Sequence, residues 1–275
     1  MSLQGNANVR RLTVRDLVEM KRRGDRIVAL TAYDFLFGRL VDEAGVDIVL
    51  VGDSLGQVVA GHDSTLPVTL DDMIYHARAV RRAVRRALIV VDMPFLSFQI
   101  SPQETLRNAG RILKETGAEA VKLEGGSEEA AETARTLVRA GIPVMGHVGL
   151  TPQSVHALGG YRVQGRVADE AERLQADAAR LEDAGVFSIV LELVPAALAH
   201  AISRAITVPT IGIGAGPGTD GQVLVLYDML GLNDTFRPRF LRTFASLADD
   251  VRKGLAAYVD AVRSGEYPAQ EHSFE

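Results

Sequence analysis

The chain alternates between short apolar runs rich in β-branched residues and longer segments in which apolar residues recur at helical spacing. Continuous apolar runs of this length are typical of strands that are buried on both faces, as in a parallel sheet. The predicted strands cover residues 27–31, 47–51, 88–91, 120–123, 143–146, 187–191, 209–213 and 223–227. The predicted helices cover residues 14–22, 35–44, 70–85, 102–116, 128–140, 169–184, 196–205 and 236–263.

Capping residues support several of these helix boundaries. Ser101 stands directly before Pro102, and Gly117 follows the end of the same helix. Serine is preferred at the N-cap, proline in the first turn and glycine just past the last turn. Alanine–glycine pairs at 44–45, 140–141 and 184–185 indicate helix ends directly before a strand. Thr13 can cap the leading helix.

Strands that alternate with helices in this way favour an α/β fold, and eight of them favour a (β/α)8 TIM barrel. We expect a single domain over residues 13–275, with an N-terminal helix before the first strand. An open, doubly wound parallel sheet is the alternative, because an error of one strand would change the count. Residues 1–12 are expected to form a flexible N-terminal arm.

Polar side chains follow five of the predicted strands at or near the point where each strand ends. The carboxyl ends of the strands of a barrel surround one mouth, so residues far apart in the sequence converge there. A single polar residue at a strand end is often only the start of a loop, but five such strands indicate a site. The candidate residues are Asp53, Ser54, Asp92, Lys122, Glu124, His147 and Glu192.

The composition narrows the chemistry of this site. The 275 residues include no cysteine, which excludes disulfides, thiolate zinc sites and cysteine nucleophiles. Clustered carboxylates repel one another and are costly to desolvate, so they imply a cation. Because oxygen donors dominate, Mg2+ fits best, although zinc, manganese or cobalt could take its place.

Lys122 and Glu124 are two residues apart on one predicted strand, so both side chains can point into the barrel. Adjacent carboxylates raise the pKa of a lysine, whereas a Schiff-base lysine needs a lowered pKa. We therefore expect Lys122 to pair with acidic groups or with an anionic group of a substrate. A purely structural ion pair inside the barrel is the alternative.

Charge and hydropathy describe the class of protein. The hydrophobic fraction is 47%, which is typical of a globular protein. The formal net charge is -5, so the chain lacks the excess of basic residues found in nucleic-acid-binding proteins. The N-terminus lacks the apolar segment of a secretory signal, and no stretch has the ~18 apolar residues of a membrane span. We expect a cytoplasmic protein that binds neither nucleic acid nor a membrane.

Three loops add candidate features. Residues 159–165 (GGYRVQG) form a candidate lid, and the loop that contains His62 follows the second strand and could also cover the mouth. Residues 211–218 (IGIGAGPG) resemble a phosphate cradle. They depart from the dinucleotide fingerprint because Pro217 stands where its last glycine would fall.

Ten segments of the chain resemble the ketopantoate hydroxymethyltransferase family, and the similarity extends from about residue 13 to residue 274. The VGDSLG segment is also similar to phosphoenolpyruvate mutases and isocitrate lyases. The ten segments are TAYD (31–34), VGDSLG (51–56), GHDSTLPVT (61–69), VDMPF (91–95), VKLEGG (121–126), GHVGLTPQS (146–154), GGYRVQGR (159–166), LELVP (191–195), IGIGAG (211–216) and EHSF (271–274).

The resemblance implies a (β/α)8 barrel that transfers a hydroxymethyl group from 5,10-methylenetetrahydrofolate to 3-methyl-2-oxobutanoate, a step of pantothenate biosynthesis. It implies magnesium ligands at Asp53, Asp92 and Glu124. It also implies a homo-oligomer, a decamer in this family. The positions implied to bind the oxoacid are Asp53, Ser54, Asp92 and Lys122, and the implied proton acceptor is Glu192.

Two other functions remain open on the sequence. The first is a related metal-dependent oxoacid lyase or phosphonate mutase, which would act without folate. The second is a non-catalytic oxoacid-binding barrel, which would bind the oxoacid without removing its C3 proton. For the transferase we expect Glu192 to be the general base and His147 to have an auxiliary role, as a hydrogen-bond partner of the developing hydroxymethyl oxygen.

Overall fold

The computed structural model describes residues 10–274, and within them eight strands close into a barrel in chain order. Neighbouring strands are parallel, and the last strand closes the barrel by pairing with the first through the register Ile27↔Gly221. The predicted (β/α)8 barrel is confirmed, and the open sheet is excluded. The strands are β1 (Ile27–Thr31), β2 (Ile48–Val51), β3 (Leu88–Asp92), β4 (Ala120–Lys122), β5 (Val144–Gly149), β6 (Ser188–Glu192), β7 (Thr210–Ile213) and β8 (Gly221–Leu224).

At several helix ends, capping residues satisfy the free backbone groups. Ser101 accepts a hydrogen bond from the backbone N–H of Glu104, and Gly117 ends the same helix with a φ of 76°. The predicted N-terminal helix is present. The helices are α1 (Val14–Arg23), α2 (Phe35–Glu43), α3 (Leu55–Val58), α4 (Leu70–Ala83), α5 (Pro102–Thr116), α6 (Glu128–Arg139), α7 (Ala168–Asp183), α8 (Ala196–Ala205), α9 (Leu226–Met229) and α10 (Leu247–Ser264).

Two elements near the C-terminus differ from the prediction. The eighth strand was predicted at residues 223–227 and lies at Gly221–Leu224, followed by the short helix α9. An apolar run alone does not distinguish a strand from a buried helix, and here it spans both. The last helix was predicted from residue 236 and begins at Leu247. Pro238 disfavours helical geometry in the residue before it, so a helix starting at 236 would be interrupted there.

One end of the barrel is closed by α1. Leu17 of this helix is fully buried in an apolar cluster with Ile27, Ile48 and Leu88 from the amino ends of their strands. The interior continues from this plug as a packed core with contributions from all eight strands. A ligand can therefore enter only at the opposite end, where the carboxyl ends of the strands meet.

The chain divides into two compact units, one ending at Val225 and one beginning at Leu226. The first contains the barrel and α1 to α8, and the second contains α9 and α10. The single domain over residues 13–275 stays a prediction, and residues 1–9 of the predicted arm lie outside the described residues. Within residues 10–274, none of the helices combines the length and the apolar character needed to cross a lipid bilayer.

Candidate active site

Strand parity points four of the candidate side chains into the barrel. Side chains two residues apart on a strand share a face. Each of the four residues therefore lies on the inner face, two positions beyond a residue of the apolar core. The pairs, core residue first, are Val90 and Asp92, Ala120 and Lys122, Met145 and His147, and Val190 and Glu192.

Lys122 lies at the centre of a buried charged cluster. Its Nζ is 3.1 Å from Oδ1 of Asp92 and 4.0 Å from Oε1 of Glu124. The same atom is 3.2 Å from Nδ1 of His147. Only 4% of Lys122 is exposed, and an ammonium so deeply buried is tolerated only with partners of opposite charge or with acceptors. The structure thus brings Lys122, Asp92, Glu124 and His147 together.

Asp53 and Ser54 follow β2 and join this cluster from its side. The backbone N–H of Asp53 donates to Oδ2 of Asp92 at 3.0 Å, and the hydroxyl of Ser54 is 2.9 Å from that of Tyr33. Gly52, directly before Asp53, has no room for a side chain, because a Cβ there would lie 2.8 Å from Oγ of Ser54. The turn therefore fixes both side chains beside the mouth.

Gln153 is a member of the site that the sequence interpretation missed. It lies 5% exposed in a single 3₁₀ turn after β5. Its backbone N–H donates to Oε2 of Glu124 at 2.9 Å, and its side-chain amide donates to Oδ2 of Asp53 at 2.9 Å. The segment GLTPQS contained this residue, but a polar side chain in a loop has no periodicity that would single it out.

Glu192 faces the cluster across His147. Its Oε2 lies 3.2 Å from Nε2 of His147, without hydrogen-bond alignment, and its side chain is 18% exposed. The backbone at this point is held closely, since the carbonyl of Glu192 accepts from Leu150 at 2.8 Å. A Cβ on Gly149 would lie 2.2 Å from that carbonyl oxygen, so only glycine allows this approach. Leu193 follows in the left-handed region, with a φ of 46°.

Burial and like charge shift the titration of the cluster. Burial, reinforced by the negative charge of Asp92, raises the pKa of Asp53 to about 7. Burial also raises the pKa of Glu124 well above its ordinary value. For Lys122 burial alone would lower the pKa, but Asp92, Glu124 and Asp53 outweigh it and raise the pKa above the ordinary value. One ammonium therefore compensates several carboxylates incompletely.

The donor set suits a hard divalent cation. Oδ1 of Asp92 is buried and has the ion pair with Lys122 but no aligned hydrogen bond, and carboxylate oxygens are the ligands that Mg2+ prefers. Within residues 10–274, no group of three or more acidic or histidine side chains is close enough to hold one ion by itself. Mg2+ is commonly held by one or two carboxylates together with water and substrate oxygens, so the residues present fit such an ion.

The two predicted covering loops approach each other. Nε2 of Gln57, on α3 after β2, lies 3.4 Å from the hydroxyl of Tyr161 in the loop 159–165. Tyr161 is half exposed, and burial followed by nearby acidic groups raises its pKa. His62 is exposed and has no contact with the charged cluster among its described hydrogen bonds. The glycine-rich residues 211–218 begin within β7 and continue into the segment after it.

Solved structures of other enzymes share this fold. A phosphonopyruvate hydrolase, solved in complex with oxalate and Mg2+, superposes with a TM-score of 0.59 at 13% identity over 95% of this chain and 93% of its own. A 2,3-dimethylmalate lyase of the phosphoenolpyruvate mutase and isocitrate lyase superfamily superposes with a TM-score of 0.60 at 18% identity, over 94% and 87%. At these identities the likeness shows the fold alone.

Sequence relatives are much closer. The 3-methyl-2-oxobutanoate hydroxymethyltransferase of Moorella thermoacetica is 57% identical over 96% of this chain and 98% of its own length. That of Magnetococcus marinus is 56% identical over 97% and 99%. The family model described as ketopantoate hydroxymethyltransferase matches residues 11–270. The chain therefore belongs to the ketopantoate hydroxymethyltransferase family.

Proposed function

We propose that this chain transfers a hydroxymethyl group from 5,10-methylenetetrahydrofolate to 3-methyl-2-oxobutanoate, giving 2-dehydropantoate. The observation that carries the proposal is the position of Lys122, which contacts Asp92 on one side and reaches Glu192 through His147 on the other. This arrangement offers a positive charge for an oxoacid and, on the far side of the His147 ring, a carboxylate base. Relatives that share more than half of their residues with this chain have this activity in their names.

A divalent cation has a defined place in the proposal, with Mg2+ as the first candidate. We propose that its protein ligands come from Asp53, Asp92 and Glu124 and that water or substrate oxygens would complete the site, since these buried carboxylates exceed the one nearby ammonium in charge. When bound, the cation supplies positive charge that polarises the 2-oxo group and acidifies the C3 proton.

Lys122 and Ser54 bind the oxoacid in this proposal. The ammonium of Lys122 donates to the substrate carboxylate, and its raised pKa keeps it protonated over the physiological range. The hydroxyl of Ser54, held by Tyr33, donates to a second substrate oxygen. Two fixed donors and the barrel wall orient C3 towards Glu192.

Glu192 acts as the general base. One of its carboxylate oxygens takes the proton from C3, and the electron pair of the broken C–H bond moves into the enolate of the oxoacid. The C3 carbon then forms a bond to the one-carbon unit of the folate. Overall one water molecule is consumed, a CH2OH group replaces the C3 hydrogen, and tetrahydrofolate leaves. In this proposal His147 hydrogen-bonds the developing hydroxymethyl oxygen.

The two rival functions make different predictions. A lyase or mutase would cleave or rearrange an oxoacid without folate, and its support is limited to a fold shared at 13–18% identity. A non-catalytic barrel would bind 3-methyl-2-oxobutanoate without exchanging its C3 proton. The sequence relatives favour the transferase over both.

One experiment separates the three functions. The chain is incubated with Mg2+ and 3-methyl-2-oxobutanoate in deuterated water, with and without 5,10-methylenetetrahydrofolate, and the C3 signal is followed by NMR. The transferase predicts exchange at C3 without folate and 2-dehydropantoate with it. Cleavage products without folate would favour the lyase, and an unchanged C3 signal with bound oxoacid would favour the inert barrel.

The assembly in solution is also a proposal. The family resemblance implies a homo-oligomer, specifically a decamer. Helix α10 presents Leu255 and Tyr258 with 60% and 59% exposure, and exposed apolar residues grouped on one helix are typical of contact surfaces. Light scattering of the purified chain would give the mass, and a monomer at micromolar concentration would contradict the proposal. The cytoplasmic location stays a prediction.

A further inference from the structure

The three carboxylates proposed to hold a cation share one arrangement. In each of the three, one oxygen accepts a hydrogen bond from a neighbouring segment. Oδ2 of Asp92 accepts from the backbone N–H of Asp53 at 3.0 Å. Oδ2 of Asp53 and Oε2 of Glu124 both accept from Gln153, each at 2.9 Å. The other oxygens of Asp92 and Glu124 are the ones that approach Lys122.

The orientation of the Gln153 amide is determined by its surroundings. Its Nε2 lies 2.9 Å from the carbonyl oxygen of Met93 as well as 2.9 Å from Asp53. Both neighbours are acceptors, so this end of the amide must be the NH2 group. Its Oε1 in turn lies 3.4 Å from Nε2 of Gln99. The side chain therefore connects the segment after β5 with the segments that follow β2 and β3.

We propose that Gln153 is a positioning residue. Its side-chain amide holds Asp53 and its backbone N–H holds Glu124, and these bonds fix which oxygen of each carboxylate faces a bound cation and the oxoacid. Without the side-chain amide, the Asp53 carboxylate is free to rotate. Either of its oxygens can then face the ion, and the distance between oxygen and ion is no longer fixed. This role rests on the proposed function, which assigns these carboxylates to a cation. The competing interpretation is a loop contact that contributes to folding alone.

Substitution Gln153→Met tests the role, because methionine has a similar length but donates no hydrogen bond. The matched control is Gln103→Met, at an exposed position in the first turn of α5. Mn2+ is the probe, and electron paramagnetic resonance counts the free ion without oxoacid or folate. We expect the Kd for Mn2+ to rise about 10–100-fold in Gln153→Met, the range found for groups that orient metal ligands, and to stay unchanged in the control.

Further measurements separate positioning from folding. A residue needed only for folding would lower the midpoint of thermal unfolding but leave the Mn2+ Kd of the folded protein unchanged, and that outcome would overturn the proposal. If Gln153→Met does not fold, Gln153→Asn takes its place. Its side chain is one methylene shorter, which draws the NH2 group back from both Asp53 and Met93, so a wild-type Kd in this variant would equally overturn the role.

Mn2+ binding and C3 proton exchange by the unmodified chain test the proposed function separately from the role of Gln153. If that chain binds Mn2+ but does not exchange the C3 proton, the transferase proposal fails, and the Mn2+ Kd of Gln153→Met still tests the positioning role. If the unmodified chain exchanges the proton and the variant keeps its Kd, only the positioning role fails. If the unmodified chain binds no Mn2+, both fail.

Discussion

Nε2 of His147 lies 3.2 Å from Oε2 of Glu192, while Nδ1 of the same ring lies 3.2 Å from Nζ of Lys122. An ammonium has no lone pair, so Nδ1 accepts from Lys122, and the ring proton is assigned to Nε2 on the side of Glu192. Burial, and then the charge of Lys122, lowers the pKa of His147 and favours the neutral ring. A neutral imidazole thus lies between the proposed anion-binding lysine and the proposed base.

This relationship predicts the effect of replacing His147. In His147→Phe a ring of similar size remains, but Lys122 loses an acceptor and Glu192 loses the adjacent N–H. We expect the rate of C3 proton exchange at saturating oxoacid to fall about 100-fold, the lower end of what positioned proton-transfer groups contribute. NMR in deuterated water measures the rate. An exchange rate equal to that of the unmodified chain would remove His147 from the reaction.

Replacing the base should separate chemistry from binding. Glu192→Gln keeps the shape of the side chain but leaves no carboxylate to take the C3 proton. We expect exchange to be lost while Mn2+ affinity stays within about twofold, since Glu192 is not among the carboxylates proposed to hold the ion. Calorimetry with Mn2+ and NMR of the oxoacid measure the two quantities. Retained exchange would show that another group is the base.

The sequence allowed the prediction of those site residues that a periodic rule governs. Asp92, Lys122 and Glu192 lie two positions beyond apolar core residues, so strand parity and the geometry of parallel barrels place them at one mouth. Helix ends at Gly117 and at the alanine–glycine pairs followed from local capping, which depends on neighbours in the chain.

Other features depend on tertiary contacts that no periodic pattern reveals. Gln153 contacts Asp53 across one hundred positions of sequence, and its neighbours Pro152 and Ser154 indicate only a turn. The start of β8 depends on close packing, because a Cβ on Gly221 would lie 2.4 Å from the carbonyl oxygen of Ile27. The apolar residues further along the same run enter α9 instead, which explains the misplaced eighth strand.

Removing either aspartate should weaken cation binding. Asp53→Ala and Asp92→Ala each delete a buried carboxylate beside the position proposed for the ion, so we expect the Kd for Mn2+ to rise at least about tenfold in both. Asp169→Ala, at an exposed position in the first turn of α7, is the control and should bind Mn2+ as the unmodified chain does. Unchanged affinity in both site variants would contradict a cation site built on these carboxylates.

Asp228 makes the stability of the folded state depend on pH, and it does so without involving the candidate active site. It is buried in the second unit, where burial raises its pKa above the ordinary 3.8 although Asn233 donates to it at 2.8 Å. The folded state therefore holds this proton more tightly than the unfolded state does, and the contribution of Asp228 to stability falls as the pH rises above about 3.8. Asparagine cannot ionise and still accepts from Asn233.

We expect Asp228→Asn to gain stability relative to the unmodified chain as the pH rises from that value. Thermal unfolding at a series of pH values measures the difference between the two midpoints. Asn233→Ala should have the opposite effect and steepen the fall of the midpoint with pH, because it removes the one hydrogen bond that favours the charged carboxylate. A difference between Asp228→Asn and the unmodified chain that does not vary with pH would contradict this origin of the shift.

Replacing Lys122 should make the free energy of unfolding of the first unit depend more strongly on a bound cation. In Lys122→Met the carboxylates of Asp92 and Glu124 stay buried and lose their positive partner. Removing one member of a buried ion pair costs about 3–5 kcal/mol, so we expect a loss of that order in the free energy of unfolding without divalent ions. Saturating Mg2+ should restore part of it, because a bound cation replaces the missing charge and binds only the folded state.

A second, partly buried lysine provides the control for this effect. Nζ of Lys21 lies 3.0 Å from Oδ2 of Asp220, and it donates to the backbone carbonyls of Ser203 and Val208. None of these partners belongs to the charged cluster around Lys122. Lys21→Met should also lose stability, but Mg2+ should not recover it beyond the gain of the unmodified chain. Denaturant unfolding of the unmodified chain and of both variants, each with and without Mg2+, gives the six free energies needed. Equal recovery in both variants would mean that Mg2+ acts through general binding to the protein, and the assignment of the cation to the cluster around Lys122 would then be wrong.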